Sequence, residues 1–356
     1  MAPRNEFDFV IVDCSNLAYR NWWNNRFRKT SQDVFCGLEY GFVQAVTMLA
    51  RNWYPARPVL VWDGEPVRGL SLFPRVTDEI SGKASGYKAE RKEPEDKTNE
   101  PDWGIRLGSL RERLRSLVYT IYHKDNEADE QIAFFVQKAE LFGFSSIIIS
   151  NDEDLHQLVS DHTHVLRLAR NSGEENVIWG EEEMSTHWGV PPRKLPLRWA
   201  IEGGGSMTGI PRIPKTVIVS MVNQCESLED LFALIDDGKG FQTVLQMDKF
   251  RAGKENIERN YRLLNLQDLE NKLTVLSGTD GDSSGIKRLC SILEMDHFVN
   301  RREWALLEEG GKRPLFSEID AHGKAPVPAS GSGDPGSSGQ RRSGVDPFTS
   351  EEEDSP

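Results

Sequence analysis

Acidic residues recur where apolar runs stop. Asp13 follows Phe9-Val10-Ile11-Val12, Asp63 follows Val59-Leu60-Val61-Trp62, and Asp152 and Asp154 follow Ile147-Ile148-Ile149. Glu127, Asp129 and Glu130 stand at the start of a strongly periodic stretch, ADEQIAFFVQKAELF. Charge at the end of a core strand costs free energy unless a partner compensates it. Each acid alone has an ordinary explanation. Asp or Glu in a first helical turn complements the helix dipole, Asp152 can cap a following turn, and Asp13 and Asp63 can be turn residues. Together they call for a common partner, because carboxylates held close repel one another. Divalent cations with oxygen ligands, Mg²⁺ or Mn²⁺, meet that need. The candidate metal ligands are therefore Asp13, Asp63, Glu127, Asp129, Glu130, Asp152 and Asp154.

These acids can meet only if a sheet brings them to one edge. Phe7 to Val12, Pro58 to Trp62, Ile147 to Ile149 and Thr163 to Leu168 read as strands. Tyr40 to Ala50 and Ala128 to Phe142 have helical apolar spacing, with Ile132, Ala133, Val136 and Ala139 on one face. Such alternation predicts an α/β domain with a mainly parallel central sheet flanked by helices. In an open parallel sheet the carboxyl ends of the strands share the edge where ligands bind. From about Glu181 the chain reads as helices with short loops.

Between the second and third of these strands lies a charged excursion. Lys83, Lys88, Arg91, Lys92, Arg106, Arg111, Arg113 and Arg115 crowd residues 81–115, and Ile105 to Leu117 reads as a basic helix. A long charged detour from an α/β core is more often functional than decorative. A lysine and an arginine three apart on a helix, Lys88 and Arg91, can face one phosphodiester.

With 356 residues and 38% apolar content, the chain can bury a sizeable core in two to three domains. Cys14, Cys36, Cys225 and Cys290 form no Cys-x-x-Cys pair, which argues against zinc ribbons and redox dithiols and fits a reduced cytosolic setting. The first residues lack the apolar core of a signal peptide, and no stretch approaches a membrane span. The net charge of −13 argues against a nucleic-acid partner at first sight. Seven of those negatives are the proposed ligands. Gly, Pro and Ser fill 17 of the 32 positions from 325 to 356, which read as a disordered acidic tail ending in Glu351-Glu352-Glu353-Asp354. The remaining surface is close to balanced and can carry a basic face.

The ordered set VDCSNLAYR, VWDG, YKAER, NEADE and SNDEDLHQL resembles the phage and bacterial 5′-nucleases, also called 5′–3′ exonucleases or flap endonucleases. Order and spacing agree over about residues 7–265. The resemblance implies a PIN-like core (1–180) that includes a basic helical arch (81–117). It also implies a helical, helix-three-turn-helix-like DNA-binding region (181–300). No role is assigned to 301–324, and the acidic tail follows from 325. It implies Asp63, Asp129, Glu130 and Asp152 as ligands of a first metal, with Asp13 and Glu127 nearby. Lys88 and Arg91 become the basic pair that contacts the scissile phosphate, and Tyr87 either stacks on a terminal base or packs. Lys92 and Lys215 join the DNA-binding residues, and Lys88, Arg91 and Asp152 the catalytic set.

Two departures stand out. The family usually has Asp where this chain has Glu130. The segment GGSMTGIPRIPKTVI from Gly204 to Ile218 matches a glycine-rich family segment, but Gly205 and Thr208 stand where two metal-binding aspartates are expected. The second site would keep Asp154 and a share of Asp152, which predicts one tight and one weak Mg²⁺ or Mn²⁺ site. The expected activity is metal-dependent hydrolysis of DNA phosphodiesters at free 5′ ends, flaps or branches, in replication or repair and in a phage-infected bacterial cytoplasm. The alternatives are a structure-specific DNA binder with little catalysis, and an RNase H-like 5′-nuclease that removes RNA primers from RNA–DNA hybrid. Membranes are not expected partners.

Overall fold

A computed structural model describes residues 7–77, 84–89, 102–169, 173–204, 207–238, 240–241, 243–267, 269 and 280–313. These residues form a six-stranded mixed sheet, ordered β5-β2-β1-β6-β7-β8. The strands are β1 (Phe9–Asp13), β2 (Arg57–Trp62), β5 (Tyr119–Tyr122), β6 (Ser146–Ile149), β7 (Thr163–Arg167) and β8 (Val177–Trp179). β1 runs parallel to β2 and β6, β2 to β5, and β6 to β7, while β8 is antiparallel to β7. A separate two-stranded ribbon pairs β3 (Val76–Thr77) with β4 (Ala84–Ser85). The mainly parallel sheet matches the expectation from the alternating pattern. β5 and β8 escaped it: Tyr119-Thr120-Ile121-Tyr122 is short and half polar, and Val177–Trp179 is three residues long.

The strands read as continuous apolar runs because helices cover both faces. Phe9 and Ile11 of β1 point to one face and Val10 and Val12 to the other. The first face holds α5 (Ala128–Leu141), followed by α6 (Glu181–Trp188), α7 (Leu195–Glu202), α8 (Lys215–Asn223), α9 (Leu228–Asp236) and α10 (Val244–Leu264). The opposite face holds α1 (Cys14–Asn25), α2 (Gly37–Trp53) and α4 (Trp103–Leu114). There they share a core with α11 (Ser284–Ile292), α12 (Asp296–Val299) and α13 (Glu303–Lys312), through Ile286, Phe298, Trp304 and Leu307. The helical second half thus divides between the two faces, and residues 303–312 pack against α2 and β2. A short α3 (Val67–Leu72) follows β2.

The charged excursion is only partly among the described residues; Lys83, Arg91 and Lys92 lie outside them, as do Gly205 and the acidic tail. Two expectations change here. The turn Tyr87–Ala89 is not helical, because Lys88 has φ +53°, a left-handed conformation. The basic helix starts at Trp103 and is part of the body: Trp103, Leu110 and Leu114 are buried, Arg106 pairs with Glu39, and Arg111 lies 3.7 Å over the Tyr122 ring. Among the described residues no helix is long and apolar enough to cross a membrane.

Candidate metal centre

The parallel register brings the acids together. Val12 lies opposite Ile149 and Asp13 opposite Val61, so Asp13, Asp63 and Ser150 leave adjacent strands at one edge. Trp62 pairs with Tyr122, which places the loop to Asn126 and the start of α5 beside them. Asp13 continues the β1 alternation after Phe9 and Ile11, toward the α5 face. It is 5% exposed. Its Oδ1 accepts from Asn16 N at 3.1 Å, capping α1, and its Oδ2 accepts from Ser150 Oγ at 3.0 Å. Asp63 Oδ1 accepts from Ala128 N at 2.8 Å and so caps α5 from a neighbouring strand. Asp152 Oδ1 accepts from Asp154 N at 3.1 Å, opening a 3-10 turn over Glu153–Leu158.

These caps do not neutralise the cluster. Burial pushes the Asp13 carboxyl up to about 7, with Asp63 and then Asp152 adding repulsion against the Asn16 and Ser150 hydrogen bonds. Asp129 is held well above the usual carboxylate range, first by desolvation and then by Asp152, Asp13, Asp154 and Asp63. Five aspartates, four from three strand ends and Asp129 from the first turn of α5, therefore share one field. A carboxylate partly stripped of water and surrounded by like charge keeps its proton or acquires a cation.

The two glutamates have other occupations. Glu127 accepts from the Tyr87 hydroxyl at 2.7 Å and forms an ion pair with Lys88 at the margin of the cluster. Glu130, 3% exposed, pairs with Arg68 and accepts from Asn126 Nδ2 at 2.9 Å and from Glu127 N at 3.3 Å. Its longer side chain reaches back over the helix start, as an N3 glutamate does in a capping box. An open cleft of about 680 Å³ lies on that side, lined by Arg68, His123, Asn126, Tyr261, Arg262 and Asn265 among others.

The Tyr87 ring lies against Gly69, where a Cβ would stand 2.3 Å from it. Its hydroxyl is turned to Glu127, so here Tyr87 packs rather than presenting a stacking face. Lys215 is exposed as the first residue of α8, whose N-cap, Pro214, makes no side-chain bond to the free amides. Thr208 is exposed on the turn before it.

A hard divalent cation fits the aspartates of this donor set in chemistry and charge: oxygen ligands only, mutually repelling, buried at Asp13 and half-buried at Asp129, Asp152 and Asp154. Among the described residues no three acidic, His or Cys side chains converge closely enough to hold an ion as they stand. The reason is visible in the hydrogen bonds, since Asp63, Glu127, Glu130 and Asp152 are each turned onto a protein donor. Sequence reading missed those donors. Arg68 and Ser150 sit within or beside the quoted motifs, but neither residue type signals a role without its partner in space.

A family model described as the 5′–3′ exonuclease, N-terminal resolvase-like domain matches residues 8–189. The chain belongs to this family. It is 24% identical over 312 residues to a 5′–3′ exonuclease of Aquifex aeolicus, covering 86% of this chain and 98% of that one. It is 23% identical over 245 residues to DNA polymerase I of Bacillus subtilis, 68% of this chain but only 26% of the polymerase. The chain thus spans about a quarter of the polymerase relatives it matches. The fold resembles that of the phage T5 D15 protein, crystallised with metal ions, at TM-score 0.58 and 16% identity over 85% of this chain and 99% of that one. The family membership and the fold agree with the resemblance read from the ordered motifs.

Proposed function

We propose that this chain is a metal-dependent 5′–3′ exonuclease and flap endonuclease that hydrolyses DNA phosphodiesters. The observation that carries the reading is the gathering of Asp13, Asp63, Asp152 and Asp154 from three adjacent strand ends around Asp129 at the start of α5, whose carboxyl burial first and then these charges raise. The relatives support it: the Aquifex aeolicus protein is a 5′–3′ exonuclease, and the phage T5 protein has been solved as a flap endonuclease with DNA and metal ions.

In this reading Asp13, Asp63, Asp129, Asp152 and Asp154 hold Mg²⁺ or Mn²⁺, with Glu127 at the margin. Glu130 serves instead to hold Arg68 and the start of α5. A bound divalent ion supplies a water of lowered pKa and neutralises charge on the phosphodiester. The chain's own part is to position that ion and the DNA. Lys88, released from Glu127, and Arg91 take the scissile phosphate by charge-assisted bonds. Tyr87 keeps Glu127 in place for that exchange. Lys215 and the open amides at the start of α8 hold a further phosphate, as helix N-termini do. The second-site aspartates are replaced at Gly205 and Thr208, so the reading keeps one strong and one weak cation position. In this reading residues 1–180 are the nuclease core and 181–300 the DNA-binding region, apart from the helices at 284–299, which share the core of the α1 and α2 face.

Labelled 5′-flap DNA, duplex DNA and RNA–DNA hybrid, each with Mg²⁺, Mn²⁺ or EDTA, test the proposal. Metal-dependent release of 5′ products from flap or duplex DNA is the expected result. Binding without cleavage would replace it with the DNA-binder reading, which the exposed Thr208 favours. Preference for the hybrid would make the enzyme a primer-removing ribonuclease.

A further inference from the structure

The turn that carries Asp152 and Asp154 is strapped to a distant helix. Gln157, three residues beyond Asp154, is 3% exposed, and its amide bonds in three directions. Nε2 donates to the main-chain oxygen of Asp154 at 2.8 Å and to that of Leu264 at 2.9 Å. Oε1 accepts from Leu266 N at 2.9 Å. Leu264 is the last residue of α10, where carbonyls have no helical partner. Arg68 grips the same end: it donates to the carbonyls of Arg262 and Asn265 at 3.2 and 3.1 Å while pairing with Glu130. Gln137 of α5 donates to Leu266 O and Gln267 O at 3.2 and 2.7 Å.

The far side of α10 meets the glycine-rich turn. Buried Asn260 donates to Thr208 O and Ala200 O, both at 3.0 Å. Ile210 lies so close to Gly253 that a Cβ there would stand 1.9 Å from its Cδ1. α10 is therefore a continuous rod between the segment beside Lys215 and the acidic edge.

We propose that Gln157 is a positioning residue for Asp152 and Asp154, and that α10 is the strut through which the helical region sets their place. This rests on the reading of those two aspartates as metal ligands. Asp154 lies not in a strand but in a single 3-10 turn, and the Gln157 amide ties its carbonyl to the end of α10. Removing that amide leaves three buried main-chain groups without this partner, and the turn shifts to regain partners or water. Groups that orient metal ligands typically affect affinity about 10–100-fold when lost.

A merely structural role would make Gln157 one more cap on α10. Gln137 provides the control, because it ties the segment just beyond the same helix end without a hydrogen bond to the acidic turn. The variants are Gln157→Met, close in size and without hydrogen bonds, Gln157→Glu, which keeps the acceptor for Leu266, and Gln137→Ala. Mn²⁺ binding by calorimetry on the free protein, thermal melting, and kcat and KM on a flap substrate are measured for each. Gln157→Met should weaken Mn²⁺ binding about 10–100-fold and lower kcat at limiting metal, with KM for DNA within about twofold and kcat recovering at high Mn²⁺. Gln157→Glu should show the same direction, and stands in if the Met variant does not fold. Gln137→Ala should melt lower but bind Mn²⁺ like the wild type. Wild-type Mn²⁺ affinity in the folded Gln157 variants, or an equal loss in Gln137→Ala, overturns the proposal while leaving the nuclease reading intact. A wild type that neither binds Mn²⁺ nor cuts DNA overturns the functional reading and this proposal with it.

Discussion

The acids at the strand ends and the glycine-rich turn before α8 are positioned by different means. Asp13 and Asp63 emerge from parallel strands whose register is fixed over five consecutive pairs, so their Cα positions follow from the sheet itself. The segment Gly203–Pro214 has no such frame. It holds its course by close approach: a Cβ on Gly203 would stand 2.3 Å from Gly209 N, and one on Gly209 would stand 2.0 Å from Glu202 O. Gly203 and Arg212 adopt φ +71° and +60°. Among its described residues it borrows rigidity from α7, through Ile210 N to Ile201 O at 2.8 Å, and from α10, through Asn260 and the packing of Ile210. A rigid sheet edge can concentrate like charge and keep it there, whereas a glycine turn propped on a helix can present amides and an exposed lysine. The first arrangement suits metal chemistry, and the second suits a phosphate backbone.

That contrast breaks most sharply if the central aspartates prove dispensable. Asp129→Asn and Asp152→Asn should each reduce Mg²⁺-dependent cleavage to background while flap affinity in EDTA stays within about twofold, because they remove cation affinity rather than DNA contacts. Asn at 152 retains an oxygen that can accept from Asp154 N, so loss of the cap does not confuse the result. Wild-type-like turnover by either variant would disprove the metal centre.

Lys88 tests the margin of the acidic edge, where it pairs with Glu127. Lys88→Ala should slow cleavage about 10–100-fold, the equivalent of one charged hydrogen bond of about 1.5–3 kcal/mol tightened in the transition state. Glu127→Gln should have a smaller effect, because it frees Lys88 and removes one acid at the margin. Single-turnover rates at saturating DNA decide between them, and equal rates for wild type and Lys88→Ala would show that the Lys88–Glu127 pair is only structural.

Much of the acidic edge was legible because strand, register and edge follow from one pattern, an apolar run followed by Asp. Glu130 shows where that reasoning stopped. Its position in the motif made it a ligand candidate, but one extra methylene and a nearby Arg68 turn its carboxylate back over the helix start. Arg68 itself carries no sequence signal, since its partners Glu130, Arg262 and Asn265 lie 62 to 197 residues away. The basic helix was expected as part of a basic arch, yet Arg106 and Arg111 are taken up by Glu39 and Tyr122. Charge is visible in a sequence, whereas the group that neutralises it is a matter of packing. Tyr119–Tyr122 was missed for a related reason: on the outer strand of the sheet its alternation mixes Thr and Tyr with Ile.

The strained electrostatics also predict a dependence on pH. The Asp13 carboxyl, at about 7 in the fold against 3.8 as a free side chain, stays protonated where the unfolded chain has ionised. Between those values the folded state binds more protons, so this contribution to stability falls as pH rises and is lost above about pH 7. Asp129 acts in the same direction. In EDTA at about pH 7.5, Asp129→Asn should melt a few degrees above the wild type, and the gain should vanish near pH 4.5. Added Mg²⁺ should reverse the order, because the cation then stabilises the ionised cluster of the wild type alone. A wild type that outmelts Asp129→Asn in EDTA at neutral pH would mean that the acids are already neutralised by protein donors.

The smallest expected effect lies in the glycine-rich turn. Gly205→Asp with Thr208→Asp returns two carboxylates to a segment that lacks them, and at Thr208 the substitution costs little because that side chain is exposed. The Thr208 carbonyl remains tied to Asn260, so the backbone there need not move. Calorimetry should show a second Mn²⁺ site appearing or tightening by up to about tenfold, with a cleavage gain no larger, since the second-site acids Asp152 and Asp154 sit on a turn already tied by Gln157 to the end of α10. The effect should be greatest on internal flap junctions, where both ends of the cut phosphodiester need charge compensation. Combining the pair with Asn260→Ala sharpens the comparison: if α10 is the prop for the turn, the added Mn²⁺ affinity should disappear while the tight site persists. A double variant with no gain in either metal affinity or cleavage would show that the turn serves DNA alone, and that the second cation position is not rebuilt by charge without a strand to carry it.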